Sequence, residues 1–271
     1  MQGFSEQRLH NVGRLLDGYV TDAKLPGYLC LVSRRGEEVY FRAHGSMDVA
    51  RGRPVRRDTI FRIYSMTKPI TSVALMMLYE EGCFQLDDPV ARYIPQWRDL
   101  KVFAGGSEAA YDVKVPDRPM VIKDLFTHTS GLTYGFLNAH PVDALYRAHG
   151  IGGMANGGTL EDMIDRLAEL PLQFSPGARW NYSVSTDVLG YLVQVFADRD
   201  LDDFVRERIT RPLGMSDSGF EVPAVAADRL AACYERTPRG DGFRLQDDPP
   251  TSPYRARPAV LSGGGGMVPT V

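Results

Sequence analysis

Pro69 constrains this chain more than any other single residue, because it stands just inside an apolar run that otherwise reads as one helix. From Thr71 to Gly82 the residues Val73, Ala74, Met76, Met77, Leu78 and Tyr79 make a buried helix former, with Gly82 as its stop. Proline has no N–H and is tolerated only in the first helical turn, where backbone donors lack an intrahelical partner anyway. The helix therefore has to begin close to Ser65, within Phe61-Arg62-Ile63-Tyr64-Ser65-Met66-Thr67-Lys68-Pro69-Ile70. Ser65 and Lys68 then share one helix face, with Oγ and Nζ in reach of each other. The unpaired N–H groups and partial positive charge of such a start can also stabilise an oxyanion.

A Ser-x-x-Lys pattern alone arises readily by chance on a solvated surface. Context separates this one: Phe61, Ile63 and Tyr64 make an apolar approach, the helix start is abrupt, and an apolar helix follows. A serine nucleophile and a lysine base need that spacing and that wrapping.

A second constellation is Trp180-Asn181-Tyr182-Ser183-Val184-Ser185-Thr186-Asp187, after the turn Ser175-Pro176-Gly177 and before the helical run Val188 to Phe196. Tyr182 falls on a loop just ahead of a helix. A phenol is a poor base at neutral pH, but a neighbouring ammonium or a positive helix end favours its ionised form. Tyr182 beside Lys68 would make two bases that tune each other. Taken alone, a loop tyrosine next to tryptophan is more often packing than chemistry.

Ser65-Met66-Thr67-Lys68, then Leu125-Phe126-Thr127-His128-Thr129-Ser130-Gly131-Leu132, Pro176-Gly177, Tyr182-Ser183-Val184 and Ser262-Gly263-Gly264-Gly265-Gly266 together resemble the serine hydrolases of the class C β-lactamase and penicillin-binding-protein superfamily. The likeness is to the esterase branch, the family VIII-type carboxylesterases, and it runs from about residue 8 to the last residue. It implies an α+β fold of the β-lactamase/transpeptidase type, an antiparallel sheet flanked by helices with an inserted helical lobe. It also implies Ser65 as the acylated nucleophile, Lys68 as its base partner and Tyr182 as the second acid/base. Tyr182 would protonate the leaving group and later activate water. His128 reads as a structural member of its turn, outside any catalytic triad.

Two departures shape the expectation. The β-lactamases and peptidases of this superfamily carry Tyr-x-Asn, whose amide holds an acylamino side chain; Val184 stands at that position here, which favours simple esters at the substrate site. The third motif, a Lys/His/Trp-x-Gly segment on an edge strand, does not appear before Val271. The expectation is a fragment of a longer polypeptide, the retained part of an active enzyme, or a shortened protein with an exposed sheet edge. One oxyanion donor would be the Ser65 N–H, and the other would come from the absent strand; losing such a donor typically costs about 10²–10³ in rate.

Around these motifs the pattern is α plus β. Phe4 to Ala23 carries Leu9, Val12, Leu15, Leu16 and Val20 at helical spacing and would cover one face of a hairpin formed by Gly27–Ser33 and Glu37–His44 through Arg34-Arg35-Gly36. Pro89, Pro95, Pro116 and Pro119 break the next region into short pieces, and Gly105-Gly106 and Gly150 to Gly158 read as flexible loops. Thr159-Leu160-Glu161-Asp162 opens a capped helix to Leu170. The domain reading is one domain over residues 1–271, its sheet-and-helix part from 1–86 and 175–271 and its helical lobe from 87–174. The long loop Tyr134 to His149 would line a substrate entrance, with Tyr134, Phe136 and Leu137 as an acyl pocket or as packing within the lobe.

Composition narrows the partners. At 271 residues, 44% hydrophobic and 24% charged, the chain buries a substantial core. A net charge of −3 leaves no electrostatic footprint for nucleic acid, and Arg51, Arg53, Arg56 and Arg57 read as a solvated loop. Cys30, Cys83 and Cys233 form neither a disulfide framework nor a zinc spacing, and buried thiols are the default for them. The five histidines show no metal-ligand spacing, so neither metal nor cofactor is expected. No apolar run approaches a membrane span, and Met1 to Gln7 lacks the features of a secretory signal, so a cytoplasmic protein acting on a small ester is the expectation. The alternatives are a β-lactamase or D-alanyl-D-alanine peptidase using the same Ser65 and Lys68, and a non-catalytic relative that binds a ligand or partner.

Overall fold

A computed structural model describes residues 3–152 and 158–271. In chain order the regular elements are α1 (Glu6–Thr21), β1 (Gly27–Arg34), β2 (Glu37–Asp48), β3 (Arg53–Pro54), α2 (Thr67–Glu80), β4 (Val102–Ser107), β5 (Ala110–Lys114), α3 (Ile122–Phe126), α4 (Pro141–Ala148), α5 (Leu160–Ala168), α6 (Ser185–Ala197), α7 (Leu201–Val205), β6 (Cys233–Arg236) and β7 (Phe243–Asp247). Contacts gather these into two units, one of residues 1–62, 221–257 and 268–271, the other of 63–220 and 258–267. Helix α2 and segment 175–220 thus group with residues 87–174, not with the hairpin.

In the first unit β1 and β2 pair antiparallel from Gly27↔Gly45 to Arg34↔Glu37, as the hairpin pattern predicts. Arg35 (φ 54°) and Gly36 (φ 78°) both adopt the left-handed conformation that a two-residue hairpin turn of this twist demands, and glycine does so without steric cost. The sheet order is β1-β2-β3, so among the described residues one side of β1 has no strand partner. Helix α1 is N-capped by Ser5, and its Asp17 accepts from Tyr28 Oη (2.8 Å) and Arg42 Nε (3.0 Å), tying the helix to both hairpin strands. Burial, followed by the Asp17 carboxylate, pushes the Tyr28 phenol up to about 12. The small core here joins Met47, Val55 and Ala231, with Leu29, Ala43 and Phe61 against it. The arginines of 51–57 stand at the surface, three of them paired: Arg51 with Asp48 and Asp248, Arg56 with Asp58, and Arg57 with Glu38.

The second unit is built around α6, which packs against α2, α3, α5 and α7. Its residues Ser185 to Gly190, Leu192 and Val193 are all buried. They meet Ala74, Leu75 and Leu78 of α2, Leu125 of α3 and Ile164 and Leu167 of α5 in one continuous core. Thr159 caps α5 as expected, with a reciprocal bond through Asp162.

Several local expectations need correction. The long loop foreseen over Tyr134–His149 contains a 3₁₀ turn at Gly135–Leu137 and the helix α4, started by Pro141 at its first turn and by the reciprocal His140 and Asp143 caps. Gly105-Gly106, foreseen as a flexible loop, lies in strand β4, and its partner β5 is exposed along its whole length, so no burial alternation marked it. The hairpin β6–β7 was likewise not foreseen. Cys83 is exposed rather than buried, and Cys30 and Cys233 are half-buried. Of the stretch Gly150 to Gly158, residues 153–157 lie outside the described residues. Among the described residues no helix is long and apolar enough to cross a membrane.

Because Leu189 is fully buried at the centre of α6, Leu189→Ala is expected to lower unfolding free energy by about 2–5 kcal/mol. Urea unfolding at unchanged m-value measures this, and a loss below about 1 kcal/mol would contradict the central place given to α6.

Candidate active site

Ser65 lies in a 3₁₀ turn, Tyr64–Met66, that runs directly into α2. The residue before it, Tyr64, has φ 43°, a left-handed conformation that costs a non-glycine residue about 1–3 kcal/mol and is kept only where surroundings impose it. The turn exposes Ser65, while Thr67 and Thr71 on the next face of the helix are buried. As the i, i+3 spacing predicts, Lys68 Nζ reaches Ser65 Oγ at 3.3 Å. Tyr182 Oη stands 2.5 Å from the same Oγ. The three residues read as a nucleophile and two bases therefore meet at one oxygen.

The second unit's loops bring Tyr182 there. Asp124 is nearly buried; it accepts both Arg118 Nη atoms at 2.7 Å and the Thr129 hydroxyl at 3.1 Å, and its own carbonyl accepts from the Thr129 amide. This anchors the turn His128-Thr129-Ser130-Gly131. That turn then lines up with the Tyr182 loop: Gly177 N donates to Thr129 O (2.8 Å), Asn181 N to His128 O (2.9 Å) and Val184 N to Thr133 O (3.2 Å). Asn181 Nδ2 adds a bond to Leu132 O at 3.0 Å. His128 Nδ1 pairs with Ser183 Oγ at 3.0 Å and its ring lies against that of Tyr182, consistent with a supporting place beside the tyrosine.

Tyr134, foreseen as a pocket wall, is almost fully buried, and its hydroxyl accepts from Lys68 Nζ at 3.1 Å. Phe136 stacks on the Tyr134 ring and is largely exposed, so it stands at the surface of this cluster. Val184, foreseen as a substrate contact, has no exposed surface and packs in the core. As the residue just ahead of α6, it closes the helix start with an apolar side chain instead of offering one to a ligand.

Three residues near the lysine carry weight that spacing did not reveal. Gly264 O accepts from Lys68 Nζ at 2.7 Å, while Gly264 N donates to Asp187 Oδ1 at 3.0 Å. Ser262 Oγ donates to the same Oδ1 at 2.5 Å. A side chain on residue 264 would stand 2.5 Å from Asp187 Oδ2 and 2.9 Å from Tyr134 Oη, so only glycine lets these groups close in. The usable sequence signal was Asp187 itself, a carboxylate at the head of an apolar helix, where burial demands hydrogen-bond partners. Burial pushes its carboxyl above the usual range, opposed by the bonds from Ser262 and Gly264 and by the Lys68 charge. Burial, and after it the Asp187 charge, also drives the Tyr134 phenol upward.

The arrangement offers an exposed hydroxyl with two proton-carrying groups on it, which suits nucleophilic attack. Among the described residues no cluster of three or more His, Cys, Asp or Glu side chains is placed to hold a metal. A cavity of about 260 Å³ bordered by Trp97, Leu100, Met120, Leu172 and Pro176 does not include Ser65 or Lys68.

His128 supplies a pH test. Burial, and then the Lys68 charge, lowers it from the usual 6.5 to about 4. The folded state thus binds fewer protons than the unfolded chain in this interval, so stability is full above about 6.5 and falls as pH drops toward about 4. His128→Asn, which tolerates the left-handed φ of 55° at this position, is expected to flatten that part of the Tm against pH curve. Equal slopes in the two proteins would rule out His128 as the source.

Comparison with known proteins bears on the family and the fold. The beta-lactamase family model matches residues 12–271. Esterase EstB of Burkholderia gladioli is 39% identical over 223 residues, covering 81% of this chain and 53% of that protein. The structure of EstCE1, described as a hydrolase with promiscuous acyltransferase activity, matches with TM-score 0.81 at 28% identity, over 97% of this chain and 70% of that one. A class C beta-lactamase shares the fold, with TM-score 0.71 at 19% identity over 100% of this chain and 64% of that one. The chain spans between 53% and 62% of the length of the curated relatives it matches. With the motif blocks, the fold and the family model in agreement over nearly its whole length, the chain belongs to the beta-lactamase family.

Proposed function

We propose that this protein is a serine hydrolase of small carboxylic esters working through an acyl-enzyme, with Ser65 as nucleophile and Lys68 and Tyr182 as its acid/base pair. The observation that carries the reading is the convergence of Tyr182 Oη, at 2.5 Å, and Lys68 Nζ, at 3.3 Å, on Ser65 Oγ. The similarity to an esterase and to a hydrolase with acyltransferase activity supports it.

In the first step Ser65 Oγ forms a bond to the ester carbonyl carbon as its proton passes into the Lys68–Tyr182 pair. The carbon–oxygen bond to the alcohol then breaks, and Tyr182 returns a proton to the departing oxygen. In the second step water loses a proton to the same pair and attacks the acyl carbon, releasing the acid and restoring Ser65 O–H. An alcohol taking the place of water gives the transesterification product from the same acyl-enzyme. The Ser65 N–H at the start of its 3₁₀ turn is the donor this chain offers to the oxyanion. Val184 in the core, where relatives with acylamino substrates carry asparagine, supports esters over β-lactams.

The test is the intact mass of the chain after a fluorophosphonate probe, together with turnover of a short-chain p-nitrophenyl ester and of nitrocefin. One adduct is expected on the wild type and none on Ser65→Ala. Ester turnover is expected to vanish in Ser65→Ala and to fall about 10²–10⁴-fold in Tyr182→Phe with the fold retained. Full activity of Ser65→Ala overturns the assignment, faster turnover of nitrocefin than of the ester moves it to the β-lactamase reading, and absence of any adduct leaves a binding relative.

A further inference from the structure

The acyl transfer above leaves one large side chain of the Tyr182 loop without a task. Trp180 is 65% exposed, and its ring is stacked on that of Tyr182 with 6.4 Å between centres and 19° between planes. It is held in place despite this exposure. The His128 ring meets it edge to face at 6.2 Å, and the backbone on both sides is pinned to the His128 turn, Gly177 N to Thr129 O and Asn181 N to His128 O. A lone exposed apolar side chain needs no explanation. A fixed indole beside the tyrosine that touches an exposed nucleophile is different, because it offers a flat apolar face where a substrate arrives.

The chemistry selects which part of an ester meets that face. As Ser65 Oγ bonds to the acyl carbon, the alcohol oxygen leaves with the electron pair of its broken bond and takes a proton from Tyr182, so this oxygen has to come within hydrogen-bond reach of Tyr182 Oη. The carbon chain of the alcohol begins one bond further on. Of the rings around Tyr182, Tyr134 is 6% exposed with its hydroxyl on Lys68 and His128 is half-buried, so the open side is that of Trp180. We propose that Trp180 is a specificity-determining residue whose indole receives the alcohol portion of the ester, favouring esters of arylalkyl alcohols over those of saturated alcohols of the same size. The inference rests on the serine-hydrolase reading. Burial of apolar area favours both kinds of alcohol alike, whereas an aryl ring adds the stacked or edge-to-face attraction between π-systems that a saturated ring lacks.

The experiment uses the full chain as wild type, Trp180→Ala, Trp180→Leu and Trp180→Phe. Each receives a mixture of benzyl acetate and cyclohexylmethyl acetate and, separately, of ethyl phenylacetate and ethyl cyclohexylacetate. Product ratios give the relative kcat/KM within each pair, with fluorophosphonate labelling and Tm read alongside. The benzyl-to-cyclohexylmethyl ratio is expected to fall about 3- to 10-fold from its wild-type value in Trp180→Ala and Trp180→Leu, and less than about twofold in Trp180→Phe. The ratio within the acyl pair is expected to move less than about twofold in all three, since the acyl group lies away from the indole. Reading each ratio against the wild type cancels the intrinsic reactivity of the esters. A tryptophan that served only to prop Tyr182 would slow both members of a pair alike and leave the ratio where it was. An unmoved benzyl ratio in Trp180→Leu, or a larger change in the acyl pair than in the alcohol pair, overturns the proposal; if Trp180→Ala does not fold, Trp180→Leu decides alone. A wild type that takes no adduct at Ser65 sinks the hydrolase reading and this inference with it, whereas a labelled wild type with unmoved ratios in the variants sinks the inference only.

Discussion

Lys68 Nζ is held by three oxygens drawn from well-separated parts of the chain, Ser65 Oγ, Tyr134 Oη and Gly264 O. A partly buried amine loses water contacts, and hydrogen bonds of good geometry must replace them. Each of the three acceptors is itself fixed by something else: Ser65 by its turn at the head of α2, Tyr134 by burial, and Gly264 by the bond from its amide to Asp187. The ring centres of Tyr134 and Tyr182 also lie 5.4 Å and 4.7 Å from Lys68 Nζ. Satisfying this one amine engages residues from several parts of the second unit.

Helix α6 does two jobs in that design. Its apolar side chains make the centre of the core, while its first turn carries the polar residues that connect to the site. Ser130, Ser183 and Ser185 form a chain of hydroxyls at 2.7–2.8 Å beneath His128 and Tyr182. The glycine-rich segment approaches from the other side: Thr71 Oγ1 donates to Gly263 O at 2.8 Å and Met267 N to Thr67 Oγ1 at 3.1 Å. Polar groups this deep are tolerated because they are mutually satisfied, and the resulting network is stiff. Stiffness matters at a nucleophile, whose partners have to be in place before the substrate arrives.

Several aromatic rings surround the serine. Trp180 and Phe136 are exposed and stack, respectively, on Tyr182 and Tyr134, while those two tyrosine rings lie 5.1 Å apart. The two tyrosines differ sharply in their surroundings: the hydroxyl of Tyr182 stands against Ser65 Oγ, whereas Tyr134 is nearly buried with its hydroxyl against Lys68 Nζ. Two phenols of identical chemistry are thereby set in different environments by burial and by neighbours.

The amino-acid sequence alone was enough for the start of α2 and the Ser65–Lys68 pairing, because Pro69 and the apolar run behind it leave one place for the helix to begin. It was enough, too, for the β1–β2 hairpin, where Arg35-Gly36 suits the turn, and for Thr159 as a cap. These are local matters, decided within a few residues by backbone sterics and hydrogen bonding. Strands β4 and β5 escaped because an exposed hairpin carries no burial pattern. Tertiary structure alone decided that Tyr134 turns its hydroxyl to Lys68, that Val184 is core, and that Asp187 and Gly264 stand behind the amine. Those residues are far apart in the chain, and what places them is the need of buried charges and polar groups to find partners once the core has closed, a condition no spacing rule contains.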